Sequence, residues 1–285
     1  MTRQWALITG ASRGLGAKLA SKFWNSGYSL ALLARDTDRL LQVASALEER
    51  VDQTIIFLTC DLGISSAVNQ LIVDVKDRLP RLDVLINNAA IHGPIGPLVG
   101  NDLGLWRTTM QVNLLSPVAL CQGLIPMIKA SGGGSIINLS GGGATAPRAN
   151  FSAYASAKAA LVRFSETLAQ EVQAQNIRVN CIAPGAMKTD LLEEVIASGV
   201  NSAGDQEFSL AEKIFSTGGA SMDKVADLAL FLASGASNGI SGKLISAVWD
   251  NWQDWPKHLA QLSGTDVYTL RRITGRDRAM DWGGL

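Results

Sequence analysis

The chain is expected to fold as an α/β protein, a single doubly wound parallel sheet with helices on both faces. Two observations predict it. Short β-rich runs alternate with longer helical patterns along most of the 285 residues, and a glycine-rich turn follows the first run and opens the first helical pattern. In order, WALIT is the first strand, and TGASRGLGAKLA supplies glycines at 10, 14 and 16 before a helix begins. YSLALLA, TIIFLTC, DVLIN and GSIINL follow as strands two to five, with helical stretches between most of them. The stretch SAYASAKAALVRFSETLAQEV reads as a helix, because its alanines and Leu161, Phe164 and Leu168 recur at helical intervals. IRVNCIA and KLISAV complete the sheet. No repeat or low-complexity linker interrupts this pattern, so residues 1–248 form one domain. Residues 249–285, with four of the seven tryptophans and four of the fifteen arginines, read as a C-terminal extension.

Composition narrows the function classes. A chain that is 47% hydrophobic and 18% charged can bury a substantial core as a soluble globular protein. Its formal net charge of zero argues against a nucleic-acid partner, whose polyanionic backbone selects basic surfaces. Cys60, Cys121 and Cys181 are widely spaced and lack any C-x-x-C or His-rich setting, which predicts buried free thiols and no metal site. The N-terminus has no long apolar segment and no stretch reaches eighteen consecutive apolar residues. A cytoplasmic protein without a membrane partner is the expectation.

Two motifs carry chemistry. The glycines of the first turn allow the backbone to bend tightly and approach a pyrophosphate, whose charge then sits at a helix N-terminus. Tyr154 and Lys158 are four residues apart, so on a helix they share one face. An ammonium near a phenol favours the phenolate, and bringing that pKa from about 10 to near 7 takes roughly 4 kcal/mol. Tyr154 alone among the three tyrosines has a lysine at this spacing.

Together with NNAA at 87–90, Asn113 and PGAMKT at 184–189, these motifs make the sequence resemble the short-chain dehydrogenase/reductase family over roughly residues 4–248. The resemblance implies a Rossmann-type fold and an NAD(P)-dependent oxidoreductase that interconverts a secondary alcohol and a ketone. It implies that Gly10, Ser12, Arg13, Gly14, Leu15 and Gly16 form the phosphate and ribose turn, and that Asp61 and Leu62 border the adenine. Asn88 and Ala89 would line the cofactor, with Pro184 and Thr189 at its nicotinamide end. Asp61 also reads as a helix N-cap. Tyr154 would be the acid/base, Lys158 would bind the nicotinamide ribose and lower the Tyr154 pKa, and Asn113 would anchor a water relaying protons to Lys158. Ala90 departs from the family's usual glycine. A homodimer or homotetramer is implied as well.

The cofactor is expected to be NADP rather than NAD. Arg35 stands after the second strand where the 2′ position of the adenosine ribose should fall, with Arg13 nearby, although a shifted strand end would present Asp36 instead. His92 lies in a loop near the nicotinamide and reads as solvated or hydrogen-bonded, with substrate contact as the alternative. The arginines of TLRRITGRDR read as a solvated tail. The alternative is an anionic substrate such as a phosphorylated or nucleotide-linked sugar. Trp249, Trp252 and Trp255 are expected to pack on a neighbouring subunit or over the substrate cleft. A cofactor-binding protein with weak or no turnover is the second function class, against which Tyr154 and Lys158 weigh.

One part of the site is out of register. In the resembled family a substrate-binding serine precedes the tyrosine by about thirteen residues, and that position is Gly141; Ser140 lies one earlier. A one-residue shift on a regular strand would turn Ser140 to the opposite face. Either Gly141, Gly142 and Gly143 form a bulge that re-aims Ser140 as the donor, or their backbone N–H groups bind the substrate oxygen, or the site is impaired.

Overall fold

The computed structural model describes residues 3–280. Seven parallel strands form one sheet in the order β3-β2-β1-β4-β5-β6-β7. They are β1 (Trp5–Thr9), β2 (Ser29–Ala34), β3 (Ile55–Thr59), β4 (Val84–Asn87), β5 (Gly134–Leu139), β6 (Ile177–Ala183) and β7 (Leu244–Ser246). Each expected strand is present, trimmed by a residue or two at several ends. β1 and β2 are buried along their whole length, as strands covered on both faces must be.

Helices cover both faces. On one face, α1 (Gly14–Asn25), α2 (Thr37–Ser45) and α10 (Met222–Ala233) pack against the side of the sheet that carries Ile8, Leu32, Ile86 and Ile137. On the other, α3 (Ser65–Arg78), α5 (Ser116–Ala130) and α6 (Ser152–Glu171) meet Leu7, Leu33, Leu85 and Ile136. The alternation Ile136/Ile137 between the two cores is the period-two consequence of strand geometry. Helix α4 (Leu103–Met110) runs into α5 through a π turn at Gln111–Leu115. This 28-residue run, Leu103–Ala130, is apolar and long enough to cross a membrane by composition, yet 44% of its apolar window is buried inside the fold. A short cluster, α7 (Asp190–Ser198), α8 (Val200–Ala203) and α9 (Asp205–Thr217), follows β6.

Strand order reverses between β1 and β4, which are hydrogen-bonded neighbours although three strands apart in sequence. Loops leaving the carboxyl ends of these two strands diverge to opposite faces and leave a crevice, the place where open α/β sheets bind ligands. The glycine turn and the NNAA segment line that crevice.

The extension is part of the same body. Trp252 and Trp255 are buried in the α1/α10 core, Trp252 against Phe231 at 5.1 Å and Trp255 against Tyr268 at 4.4 Å between ring centroids. This corrects the expectation that these two pack on a neighbouring subunit or over the substrate cleft: the chain returns through a short helix α11 (Leu259–Leu262) and packs them, with Leu262, into the core that α1 and α10 share. Trp249 differs, at 85% exposure on the rim of the crevice. Trp282 lies outside the described residues.

Candidate active site

At the carboxyl ends of the strands lies a cleft of about 860 Å³. Its cofactor end is built on steric exclusion. A Cβ on Gly10 would stand 2.9 Å from Ala89 Cα, and one on Gly16 would overlap the Gly10 carbonyl and come within 2.9 Å of Ala11 Cα. Only glycine lets the turn lie this close to β4 and to the helix behind it. Arg13, the residue before α1, is extended and offers no side-chain cap, so the first N–H groups of α1 stay available for an anion. Ser12, Leu15, Asp61, Leu62, Ala89, Pro184 and Thr189 all line the cleft.

Several of these residues do something different from what their sequence position suggests. Arg13 pairs with Asp190 at the start of α7, and both line the cleft. Asp61 is not the N-cap of α3, which is Ile64; its Oδ1 instead accepts from Gly63 N at 2.8 Å and closes a tight turn. The Asn88 side chain donates to Thr9 O at 2.9 Å, and the Thr9 hydroxyl accepts from the N–H groups of Asn88 and Ala89 at 3.0 Å each. The NNAA segment is thereby fastened to the end of β1. Asp36, the rival of Arg35, caps α2 through Arg39 N at 3.1 Å and pairs with Arg39 Nε at 3.3 Å. Arg35, Asp36 and Arg39 all line the cleft, but the Asp36 carboxylate is engaged by the helix end and by Arg39, which leaves Arg35 as the cation without a carboxylate partner of its own among the described residues.

At the other end, Tyr154 and Lys158 sit one turn apart in the first half of α6, both buried. Lys158 Nζ donates to Leu139 O at 2.7 Å and lies 5.6 Å from the Tyr154 ring centroid. Burial pulls the Lys158 pKa down to about 8. Burial also pushes Tyr154 up, to about 12, with Arg148 opposing and Glu194 adding to the rise. The direction is opposite to the one expected from sequence, because the desolvated phenol outweighs its cations and the Lys158 ammonium is turned to a carbonyl.

Asn113, in the π turn, is fully buried and clamps the backbone of Ile91: its Oδ1 accepts from Ile91 N at 3.0 Å and its Nδ2 donates to Ile91 O at 2.8 Å. The side chain thus holds the loop after β4. A π turn at such a position is common at functional sites.

The serine question has a geometric answer. Ser140 N donates to Ile182 O at 2.8 Å, so the parallel ladder continues past Leu139 without a bulge. Ser140 shares the face of Asn138, whose amide reaches Ser165 on α6, and this is the face from which Tyr154 and Lys158 approach. Its Oγ is sealed from solvent and has no hydrogen-bond partner. Gly141 is pressed against the phenol: a Cβ there would overlap Tyr154 Oη, with Tyr154 Cζ at 3.0 Å. Among the described residues, the N–H groups of Gly141, Gly142 and Gly143 donate to no protein group.

Arg148, Glu194 and Glu207 on this wall carried no signal in the sequence pattern, and His92, expected to be solvated or hydrogen-bonded, is buried with its Nδ1 lacking a hydrogen-bond partner. Arg148 lies over the Phe151 ring at 3.8 Å and bonds Glu207 of α9 at 2.8 Å. His92 is buried, its ring edge-on to Tyr154 at 4.9 Å, and Glu194 of α7 is 3.5 Å from its Nδ1. The tail arginines take no part. Arg271 pairs with Asp277 and Asp266, and none of Arg271, Arg272, Arg276 and Arg278 lines the cleft.

Comparison with known proteins agrees with this geometry. Residues 4–198 match the family model for short chain dehydrogenase. The chain is 35% identical over 185 residues to the uncharacterised oxidoreductase YciK of Escherichia coli, covering 64% of this chain and 73% of that protein. It is 31% identical over 247 residues to a 3-oxoacyl-[acyl-carrier-protein] reductase of Chlamydia trachomatis, covering 86% and 96%. A short chain dehydrogenase from Shigella flexneri solved with NADP superposes with a TM-score of 0.72 at 29% identity, covering 87% of this chain and 98% of that one. Since the matched region runs from β1 through the glycine turn and the Tyr154–Lys158 face to α7, both ends of the cleft fall inside it, and the chain belongs to the short-chain dehydrogenase/reductase family as an NAD(P)-dependent oxidoreductase.

Proposed function

We propose that the protein interconverts a secondary alcohol and a ketone, with NADP as the preferred cofactor and Tyr154 Oη as the atom that gives or takes the proton. The observation that carries this reading is the placement of a buried Tyr154–Lys158 pair on the wall of the cleft that begins at the glycine turn. The residues present suit a dinucleotide: Gly10 and Gly16 leave room that a Cβ would fill, and the start of α1 keeps uncapped N–H groups. Arg35 and Arg39 would hold a 2′-phosphate, which a guanidinium recognises and a carboxylate repels. When bound, the cofactor supplies or accepts the hydride at the substrate carbon.

The chain's own residues then have separate tasks. In reduction, Tyr154 donates its proton to the substrate oxygen; in oxidation it must first lose it, which its buried, raised pKa resists and which Arg148 favours. Burial lowers the Lys158 pKa, which brings it nearer the range in which a lysine can pass a proton as well as hold charge. Asn113 fixes the loop carrying His92 through Ile91 and is a positioning residue. Ser140 Oγ, an orphaned buried donor on the Tyr154 side of β5, is the proposed second hydrogen bond to the substrate oxygen. The unengaged N–H groups of Gly141 to Gly143 favour backbone donation as the rival.

We also propose a cytoplasmic homodimer or homotetramer. Leu103, Leu105 and Leu115, each at least half exposed on the α4–α5 run, are apolar side chains that a second copy could cover. The functional test is NADPH oxidation against a panel of small ketones. Tyr154→Phe should lower turnover by on the order of 10² or more while NADP still binds. Ser140→Ala should lower kcat by on the order of 10²; full activity in that variant would transfer the role to the glycine backbone. No turnover of any ketone with either cofactor would overturn the reading.

A further inference from the structure

The three glycines after β5 are shaped around two side chains. A Cβ on Gly141 would overlap Tyr154 Oη, one on Gly142 would meet Arg148 Cδ and Nη1 at 3.7 Å each, and one on Gly143 would stand 3.3 Å from Arg148 Cβ. The phenol oxygen thus lies against the first residue of this stretch and the guanidinium against the second, whose Cα atoms are only about 3.8 Å apart. The guanidinium carbon sits 3.8 Å above the Phe151 ring and 5.7 Å from the centre of the Tyr154 ring. Its loop is fastened on both sides, Phe151 N donating to Arg148 O at 3.3 Å and Gly96 N to Asn150 O at 2.8 Å.

A guanidinium is an all-donor fork, and only one nitrogen of this fork is engaged: Nη2 donates to Glu207 Oε2 at 2.8 Å. Among the described residues, Nη1 and Nε donate to no protein group, and neither is sealed from solvent, since Arg148 lines the cleft with 15% of its side chain exposed. We propose that Arg148 is a catalytic residue whose free N–H groups donate to the same substrate oxygen that Tyr154 protonates. The proposal rests on the oxidoreductase reading above and adds a cationic donor to it. Phe151 and Glu207 are positioning residues: the ring supports the plane of the fork and the carboxylate fixes its rotation, so the donor is in place before charge develops on the oxygen.

The electron and proton balance is that of a ketone reduction. The carbonyl carbon gains a hydride from the reduced cofactor, the π electrons of the carbonyl bond move onto its oxygen, and that oxygen takes the Tyr154 proton. Arg148 keeps all of its own protons. Its charge faces first the alkoxide character that grows on the substrate and then the phenolate left on Tyr154. Both anions form in a buried site, where an unpaired charge is costly. The surrounding groups agree, because Lys158 is turned to Leu139 O while Arg148 is the cation that opposes the rise burial imposes on the Tyr154 pKa. Oxidation runs the same steps in reverse.

The experiment follows NADPH-dependent reduction of a ketone from the panel by wild type, Arg148→Ala, Arg148→Met and Glu207→Ala. Both arginine variants should lose about 10² or more in kcat, the cost of one donor to a developing oxyanion, with a much smaller change in KM. Their NADP affinity by fluorescence titration should match wild type, which also shows that they are folded. Guanidinium ion added at millimolar, non-denaturing concentration should restore about tenfold or more of the turnover of Arg148→Ala, because it refills the space over Phe151, and should do nothing for Tyr154→Phe. Glu207→Ala unties α9 but leaves the guanidinium on its ring, so its loss should be much smaller and chiefly in KM. Wild-type kcat in either arginine variant, equal losses in Arg148→Ala and Glu207→Ala, or a loss that guanidinium does not restore would overturn the proposal and leave the oxidoreductase reading standing. No turnover of any ketone by the wild type would remove both.

Discussion

Gly141→Ala tests the arrangement of the proton-transfer site with one methyl group. The added Cβ would lie 3.0 Å from Tyr154 Cζ and 3.1 Å from Cε1, and closer still to Oη. Carbon atoms pack at about 3.5–4.0 Å, so the ring must retreat by roughly half an ångström to an ångström. Tyr154 has little room to do so, with His92 against one side of its ring and Phe151 and Val195 in the same small core. A displacement near 1 Å at a reacting group costs on the order of 10² in rate. Steady-state kinetics with a ketone substrate should therefore show kcat down by about that factor, with NADP affinity and thermal stability close to wild type, because the glycine turn and the main cores are untouched. Gly141→Ser should do at least as much damage, even though it supplies a hydroxyl at the family's usual position. Wild-type turnover in Gly141→Ala, or a gain in Gly141→Ser, would refute the reasoning and show that the phenol sits elsewhere in the working enzyme.

Three further outcomes follow from the same geometry. Oxidation needs Tyr154 deprotonated and so rises with pH toward the phenol pKa; because Arg148 holds that pKa down and Glu194 pushes it up, Arg148→Leu should move the alkaline limb of the kcat profile to higher pH and Glu194→Gln to lower pH. Fluorescence titration should show tighter binding of NADP than NAD, and Arg35→Asp should reduce that preference by about 10-fold or more, the worth of a charge-assisted hydrogen bond; equal affinities unaltered in the variant would exclude Arg35. Trp252→Ala should lower stability by about 3–5 kcal/mol in chemical denaturation, as for other buried aromatic truncations, and a chain ending at Ala247 should lose more, whereas Trp249→Ala, at an exposed rim position, should leave the melting temperature within a degree or two.

The sheet and the cofactor end were readable in the sequence because their signals are local. Strand periodicity, a glycine demanded by a carbonyl on the next turn, and a tyrosine and lysine on one helical face all lie within a few residues. The choice between Arg35 and Asp36 was not settled locally, since it depends on where α2 begins and on Asp36 being its cap. Ser140 was harder still: its face follows from the ladder to β6, forty-odd residues away. Arg148 with Glu207 and His92 with Glu194 are pairs separated by 59 and 102 residues, and nothing in either neighbourhood marks them. Trp252 and Trp255 misled in the other direction. An apolar cluster after the last strand looks like surface until one knows that the chain returns to pack it against α1 and α10.

The returning chain also finishes the sheet. Leu244 N, on the outer side of β7, donates to Tyr268 O at 2.8 Å, and Lys243 Nζ ties down the carbonyls of Thr265 and Val267 at 2.9 Å each. Beyond it, Leu270 N reaches Glu166 on α6 at 2.6 Å, and Arg163 holds Leu270 O. An edge strand with free amides is a template on which foreign strands grow. Here that template is occupied by irregular backbone from the same chain, which cannot itself be extended into a regular ladder. Lengthening of the sheet across β7, whether by a sister molecule or by an extended peptide, is thereby blocked until residues 265–270 are peeled away, and a chain cut between Ala247 and Thr265 should become more prone to strand-to-strand aggregation than the full chain.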